Sequence, residues 1–133
     1  MSNRVVHFEI LADEPERAAK FYRDIFGWTI EQWAGLEYPY WMVMTGPKDT
    51  KEPGIHGGLL KRPGKTPPEM CGSNAFVCTV QVENYDDIAK KIETAGGKVA
   101  MPKFALKGVA WQGYFIDTEG NTFGIHQPDP MAK

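Results

Sequence analysis

The stretch GIHGGLL, residues 54–60, opens with three letters that return seventy positions later as Gly124-Ile125-His126. Trp41 and Trp111 keep the same offset, as do Gly27 and Gly97, and Lys20 and Lys90. Beneath these identities lies a shared pattern. Phe8, Ile10 and Ala12 match Cys78, Val80 and Val82, and each run leads into a helix-like stretch. A chain that repeats its order of elements is expected to fold as two similar halves around a shared groove, because neither half buries its apolar face alone.

Upstream of the first GIH, residues 4–11 (RVVHFEIL) alternate. Val6, Phe8 and Ile10 point one way and Val5, His7, Glu9 and Leu11 the other, which predicts a strand. Asp13 then reads as a helix N-cap, with Pro15 early in the helix and Glu16 completing a capping box. Ala18, Phe21, Tyr22, Ile25 and Phe26 form one apolar stripe, and Gly27 stops the helix. Residues 28–33 and 40–45 read as strands about a turn at Gly35, and 46–53 as a polar loop. Residues 54–60 complete the half as a strand. Its glycines predict either a β-bulge or close approach of the backbone to a small molecule.

The segment KRPGKTPPEM, from Lys61 to Met70, is rich in proline and has no periodicity. It divides the chain into a first β-α-β-β-β module over residues 1–62, a linker over 63–72 and a second module over 73–133. In the second, a strand at 74–82 precedes a helix from Tyr85 to Ala95, with Ile88, Ala89 and Ile92 inward. Strands near 97–101, 110–116 and 122–126 follow, the last two joined by the turn DTEGN at 117–121. The fold class is therefore α/β (α+β).

A chain of 133 residues suits one compact domain, or two small modules sharing a core. With 42% hydrophobic and 24% charged residues it reads as soluble and globular. A formal net charge of -2 leaves no basic footprint, so neither nucleic acid nor an anionic membrane is an expected partner. No run approaches the roughly 18 to 20 apolar residues of a membrane span, and MSNRVVHFEI lacks the pattern of a signal peptide. Cys71 and Cys78 are too far apart on an extended chain to bridge, and match no metal spacing. The expected compartment is the cytoplasm.

HFEI at 7–10, FYRDIFGW at 21–28, GIHGGL at 54–59, AGGKV at 95–99 and DTEGNTFGI at 117–125 give the chain a family resemblance. It resembles the vicinal oxygen chelate superfamily, which includes glyoxalase I, bleomycin-resistance proteins, fosfomycin-resistance enzymes and extradiol dioxygenases. The resemblance implies two β-α-β-β-β modules forming a curled mixed sheet, with helices on the outer face and a concave inside for metal and substrate. It also implies a homodimer. Metal-dependent members take ligands from the first and fourth strands of each module, and the ion polarises two neighbouring substrate oxygens. Mapped here, the first-strand position is His7 and its counterpart is Val77, or Cys78 one residue on. The fourth-strand position is Gly124, with Gly54 as its counterpart. Glycine offers no donor, so the usual metal site is mostly absent and no cofactor is expected. The alternative is a divalent ion (Zn, Fe, Mn or Ni) in a shifted set such as His7, Glu9 and His56.

Alternation puts His7 and Glu9 on one face, and His56 and His126 on the faces of Gly54 and Gly124, so all three histidines are expected to line one cavity. His7 suits proton transfer, hydrogen bonding or metal ligation, and Glu9 suits a general base. A satisfied strand histidine and an ion-paired glutamate are the structural alternatives. Trp28, Trp33, Tyr38, Tyr40, Trp41, Trp111 and Tyr114 would wall a planar or apolar ligand, with Trp41, Trp111 and Tyr114 the leading candidates, or simply pack the sheet. Lys61 and Arg62 could hold an anion at the rim. Ser73, Cys78 and Thr79 find no partners for a nucleophilic triad. The expected function is binding of a small molecule, closer to the bleomycin-resistance type than to glyoxalase I. The alternatives are a metal-dependent lyase, isomerase or dioxygenase with a displaced His-rich site, and a domain whose surfaces form a protein interface.

Overall fold

The computed structural model describes residues 3–68, 76–116, 118 and 121–133. Its elements are β1 (Arg4–Ala12), α1 (Pro15–Phe26), β2 (Thr29–Trp33), β3 (Tyr40–Met44) and β4 (His56–Lys61), then β5 (Val77–Gln81), α2 (Tyr85–Thr94), β6 (Lys98–Leu106), β7 (Ala110–Ile116) and β8 (Thr122–Pro128). This is the α+β class, with β-α-β-β-β written twice. Two compact units emerge: His7–Phe76, and Val77–Lys133 with the first residues through Val6. Cys71, Ser73, the end of the expected linker, and Asp117, Glu119 and Gly120 of the expected turn lie outside the described residues.

In the first unit the strands run in the order β2-β3-β4-β1, with β1 parallel to β4 and the other pairs antiparallel. Register places Ile10, Leu59, Trp41, Val43, Ile30 and Phe8 on one face, and all six are buried. Burying each of the large ones contributes about 1.5–3 kcal/mol. Helix α1 packs on this face through Ala19, which is fully buried. The Trp41 indole N–H donates to the Glu16 carboxylate at 2.7 Å, and Arg23 donates to the Ile30 carbonyl. Phe8, Tyr22, Trp28 and Phe76 close the bottom as a ring cluster, with Tyr22 and Trp28 nearly parallel at 5.5 Å.

Asp13 is not the cap of α1. The N-cap is Glu14, whose side chain makes no capping bond. The Asp13 carboxylate instead accepts from the Arg62 Nε at 3.4 Å and from the Thr66 hydroxyl, so a long-range pairing has displaced the local one. Pro15 opens the helix, and Gly27 closes it at φ 71, where a side chain would be strained.

In the second unit the order is β5-β8-β7-β6, with β5 parallel to β8 and the rest antiparallel. Val82, Tyr85, Phe115 and Ile125 form its core, against Ile88, Ala89 and Ile92 of α2. Here the cap is real, since Asn84 Oδ1 accepts from the Asp87 N–H at 3.0 Å. Strand β6 continues past residue 101, where the sequence reading ended it, to Leu106. Pro102 concealed the continuation. It is tolerated because β6 ends this unit's strand order and its register shifts on both sides of Met101.

The repeat holds for the helices, whose caps are Glu14 and Asn84, but it slips between strands. His7 pairs with His56, whereas Gln81 pairs with His126. Glu9 faces Gly58, and Thr79 faces Gly124. Gly58, inside β4, is therefore the pairing counterpart of Gly124, while Gly54 precedes the strand.

Candidate functional site

The face of the first unit's sheet opposite α1 carries His7 and Glu9 on β1, His56 and Gly58 on β4, and Tyr40 and Met42 on β3. Glu9 is only 6% exposed. The Tyr40 hydroxyl donates to Glu9 Oε2 at 3.0 Å and lies 2.8 Å from His7 Nε2. A phenol has one proton. With that proton committed to the carboxylate, the imidazole is the donor in the second bond, so His7 carries a proton on Nε2. The three side chains form a continuous row: imidazole, phenol, carboxylate.

Tyr40 stands on β3 and Glu9 on β1, with β4 between them. The phenol crosses β4 over Gly58, where a methyl group would overlap the hydroxyl and the ring. Trp33 and Tyr38 meet the Tyr40 ring edge-on, with centroids 6.3 and 6.4 Å away. Partial burial, and secondly the charge of Glu9, push the Tyr38 hydroxyl pKa up. His56 lies beside His7 in register. Its Nδ1 accepts from the Thr45 backbone N–H at 3.0 Å, which leaves the neutral ring's proton on Nε2 as a donor.

The second unit builds a matching row from different chemistry. Gln112 Nε2 donates to Thr79 Oγ1 at 3.4 Å, and Gln112 Oε1 lies 3.2 Å from His126 Nδ1. This row crosses Gly124, whose added methyl would sit 2.7 Å from Thr79 Oγ1 and 2.8 Å from Gln112 Nε2. Thr79 and Gln112 are buried. Burial also pushes the His126 pKa down, favouring the neutral ring. Tyr114 shares this face through its pairing with Gly124, and its ring stacks on Phe104.

The structure thus brings together His7, Glu9 and His56 in one unit, and His126 with Tyr114 in the other. Trp41 and Trp111 lie on the helix-side faces. Trp41 is bonded to Glu16, while Trp111 donates to Asp129 at 3.0 Å beneath the Lys103 ammonium, 4.8 Å from its ring. Arg62 is held by Asp13 and the Leu11 carbonyl, and Lys61 is exposed. The bulge expected in β4 is absent, because its pairing with β1 and β3 is continuous. Its glycines instead admit rings: Gly57 makes room for Phe8, and Gly58 for Tyr40. Gln112 was not among the expected site residues, and Tyr40 was expected only as one of the aromatic walls, not as the partner of His7 and Glu9. The glycines in mid-strand were the available sign of them.

Among the described residues, no group of three or more His, Cys, Asp or Glu side chains is placed to hold an ion. In the first unit the Tyr40 hydroxyl sits between His7 Nε2 and Glu9 Oε2, and the Thr45 N–H occupies His56 Nδ1. No helix among the described residues is long and apolar enough to cross a membrane.

Residues 4–46 match the family model described as bleomycin resistance protein-like N-terminal. Over 131 residues, 94% of each chain, the protein is 30% identical to a glyoxylase-like domain-containing protein of Didymella fabae. The chain belongs to the vicinal oxygen chelate superfamily. Solved structures share the superfamily fold. A methylmalonyl-CoA epimerase in complex with methylmalonyl-CoA and NH4+ aligns at TM-score 0.64 and 15% identity, over 100% of this chain and 99% of that one. The methylmalonyl-CoA epimerase of Mycobacterium tuberculosis aligns at TM-score 0.63 and 11% identity, over 97% and 90%. A Legionella pneumophila protein described as an NAD-dependent benzaldehyde dehydrogenase aligns at TM-score 0.57 and 12% identity, over 92% and 98%. At such identities the likeness is one of fold, and the superfamily fold carries more than one chemistry.

Proposed function

We propose that this superfamily member binds a small organic molecule against the His7–Tyr40–Glu9 row without a resident metal. The observation that carries the reading is the row itself. A buried carboxylate, a phenol and an imidazole are hydrogen-bonded in line on the sheet face that α1 does not cover. Such a face offers the few oriented polar groups, set among aromatic rings, that a ligand site needs. The Nε2–H of His56 and the edges of Trp33 and Tyr38 suit a ligand with a carbonyl or hydroxyl oxygen and a flat apolar part. On this reading the protein is cytoplasmic and homodimeric. The exposure of Phe21, Ile25 and Phe26 along α1 supports a covered helix face in the assembly.

A second reading, proton-transfer catalysis of the isomerase or lyase type, is favoured by Glu9. A carboxylate this buried, bonded to a phenol, resembles a general base beside its proton relay. The epimerases of the same fold make methylmalonyl-CoA the first ligand to try. Equilibrium binding of acyl thioesters and aromatic carbonyl compounds is the test, with deuterium uptake from heavy water read on the same samples. The binding reading expects saturation that persists after chelator treatment, is lost in His7→Ala, and brings no exchange. Exchange that Glu9→Gln abolishes establishes the catalytic reading. Binding that chelator removes overturns the metal-free one.

A further inference from the structure

We infer that the second unit carries a ligand site of its own, in which His126 Nε2 accepts a hydrogen bond from a neutral hydroxyl or amide N–H. The inference starts from a chain of fixed polarities. The Gln112 amide nitrogen donates to Thr79 Oγ1, so the Gln112 oxygen is the end that faces His126. An oxygen only accepts, and His126 Nδ1 must therefore carry the ring proton. The neutral ring then has its lone pair on Nε2. Among the described residues no hydrogen bond engages that atom.

The two residues that impose this tautomer are almost wholly buried, Thr79 at 1% and Gln112 at 4% exposed. The imidazole itself is only half-buried. A buried polar brace that ends in a part-exposed acceptor orients that acceptor outward, which packing alone would not require. The repeat sharpens the contrast. His56, in the corresponding GIH motif, has its Nδ1 occupied by the Thr45 N–H, and so presents a donor. One module shows an N–H and the other a lone pair.

The class of ligand follows from the row and its neighbours. Thr79, Gln112 and a neutral His126 bring no formal charge, so the site selects neutral donors over anions. Phe104 pairs with Gln112 and Tyr114 with Gly124, which puts the stacked Phe104–Tyr114 rings on the same face. An aromatic alcohol combines the donor and the flat apolar body that such a face accepts.

Phenol is the probe, and side-chain nitrogen NMR of the whole protein near neutral pH is the readout. His126 is expected as the Nδ1–H tautomer, with a saturable shift of its Nε2 on phenol addition. Gln112→Leu removes the brace and should weaken phenol binding about tenfold, the size of one net hydrogen bond. A second measurement on the unaltered protein guards against a variant that fails to fold. Diethyl pyrocarbonate is attacked by an imidazole lone pair. A nitrogen–carbon bond forms as the anhydride carbon–oxygen bond breaks, and the ring proton leaves with the departing ethyl carbonate as ethanol and carbon dioxide. His126 should be labelled roughly tenfold faster than His7 or His56, a difference of about 1.4 kcal/mol in barrier. An Nε2–H tautomer at His126, labelling of His56 ahead of it, or a phenol shift that bypasses it would overturn the inference.

Discussion

The Tyr40 hydroxyl occupies the space that a side chain on Gly58 would fill. Because Gly58 sits between β3 and β1 in the pairing, its bare backbone is what lets a phenol on one strand reach a carboxylate two strands away. Gly124 does the same for Gln112 and Thr79. The mid-strand glycines thus serve as sockets for polar rows.

Gly58→Ala should therefore force Tyr40 out of place and destabilise the fold by about 1–3 kcal/mol, the usual cost of overpacking. The same substitution made on a Tyr40→Ala background should cost far less. Urea unfolding of the four proteins in this cycle gives the coupling. Equal costs in both backgrounds would show that the socket is not the reason for glycine.

Tyr40→Phe keeps the ring and removes the hydroxyl. Glu9 and His7 each lose a bond, one as acceptor and one as donor. The expected loss is about 1–3 kcal/mol, because the carboxylate is buried. Tyr38→Phe is the control, since its side chain is 41% exposed and its change should stay within about 0.5 kcal/mol. Equal effects at the two tyrosines would deny the row its energetic weight.

Burial holds the His126 pKa below its ordinary value. At pH above about 6.5, the ring is neutral in both folded and unfolded chains and contributes no slope. As pH falls through that value the unfolded chain takes up a proton the folded one refuses, so stability declines. The decline stops once the folded ring is itself protonated. Denaturation midpoints measured across this range should flatten in His126→Gln, and an unchanged slope would contradict the assignment.

Much of this was legible in the residues. Alternation at Phe8, Ile10, Val80 and Val82 marked the faces that meet the helices, and it put His7 and Glu9 together on the other side. Asp13 was misread because a cap is a local signal, whereas its partners Arg62 and Thr66 are distant in sequence. The end of β6 was hidden by a proline that only an edge strand tolerates. The bonding of Tyr40 to His7 and Glu9, and Gln112 altogether, escaped for a deeper reason. Which side chains meet across three strands depends on pairing register, and the offset of seventy does not survive from one strand to the next.

The response of the His7 ring to ligand is the measurement that bears most sharply on the proposed site. Methylmalonyl-CoA and a panel of aromatic carbonyl compounds should be titrated into metal-free protein, following the His7 imidazole resonances in wild type and in Tyr40→Phe. The prediction is a saturable shift of His7 with at least one compound, weakened about tenfold without the Tyr40 hydroxyl. Saturable binding that leaves His7 unmoved, or that is indifferent to Tyr40→Phe, would place the ligand elsewhere and contradict the proposed site.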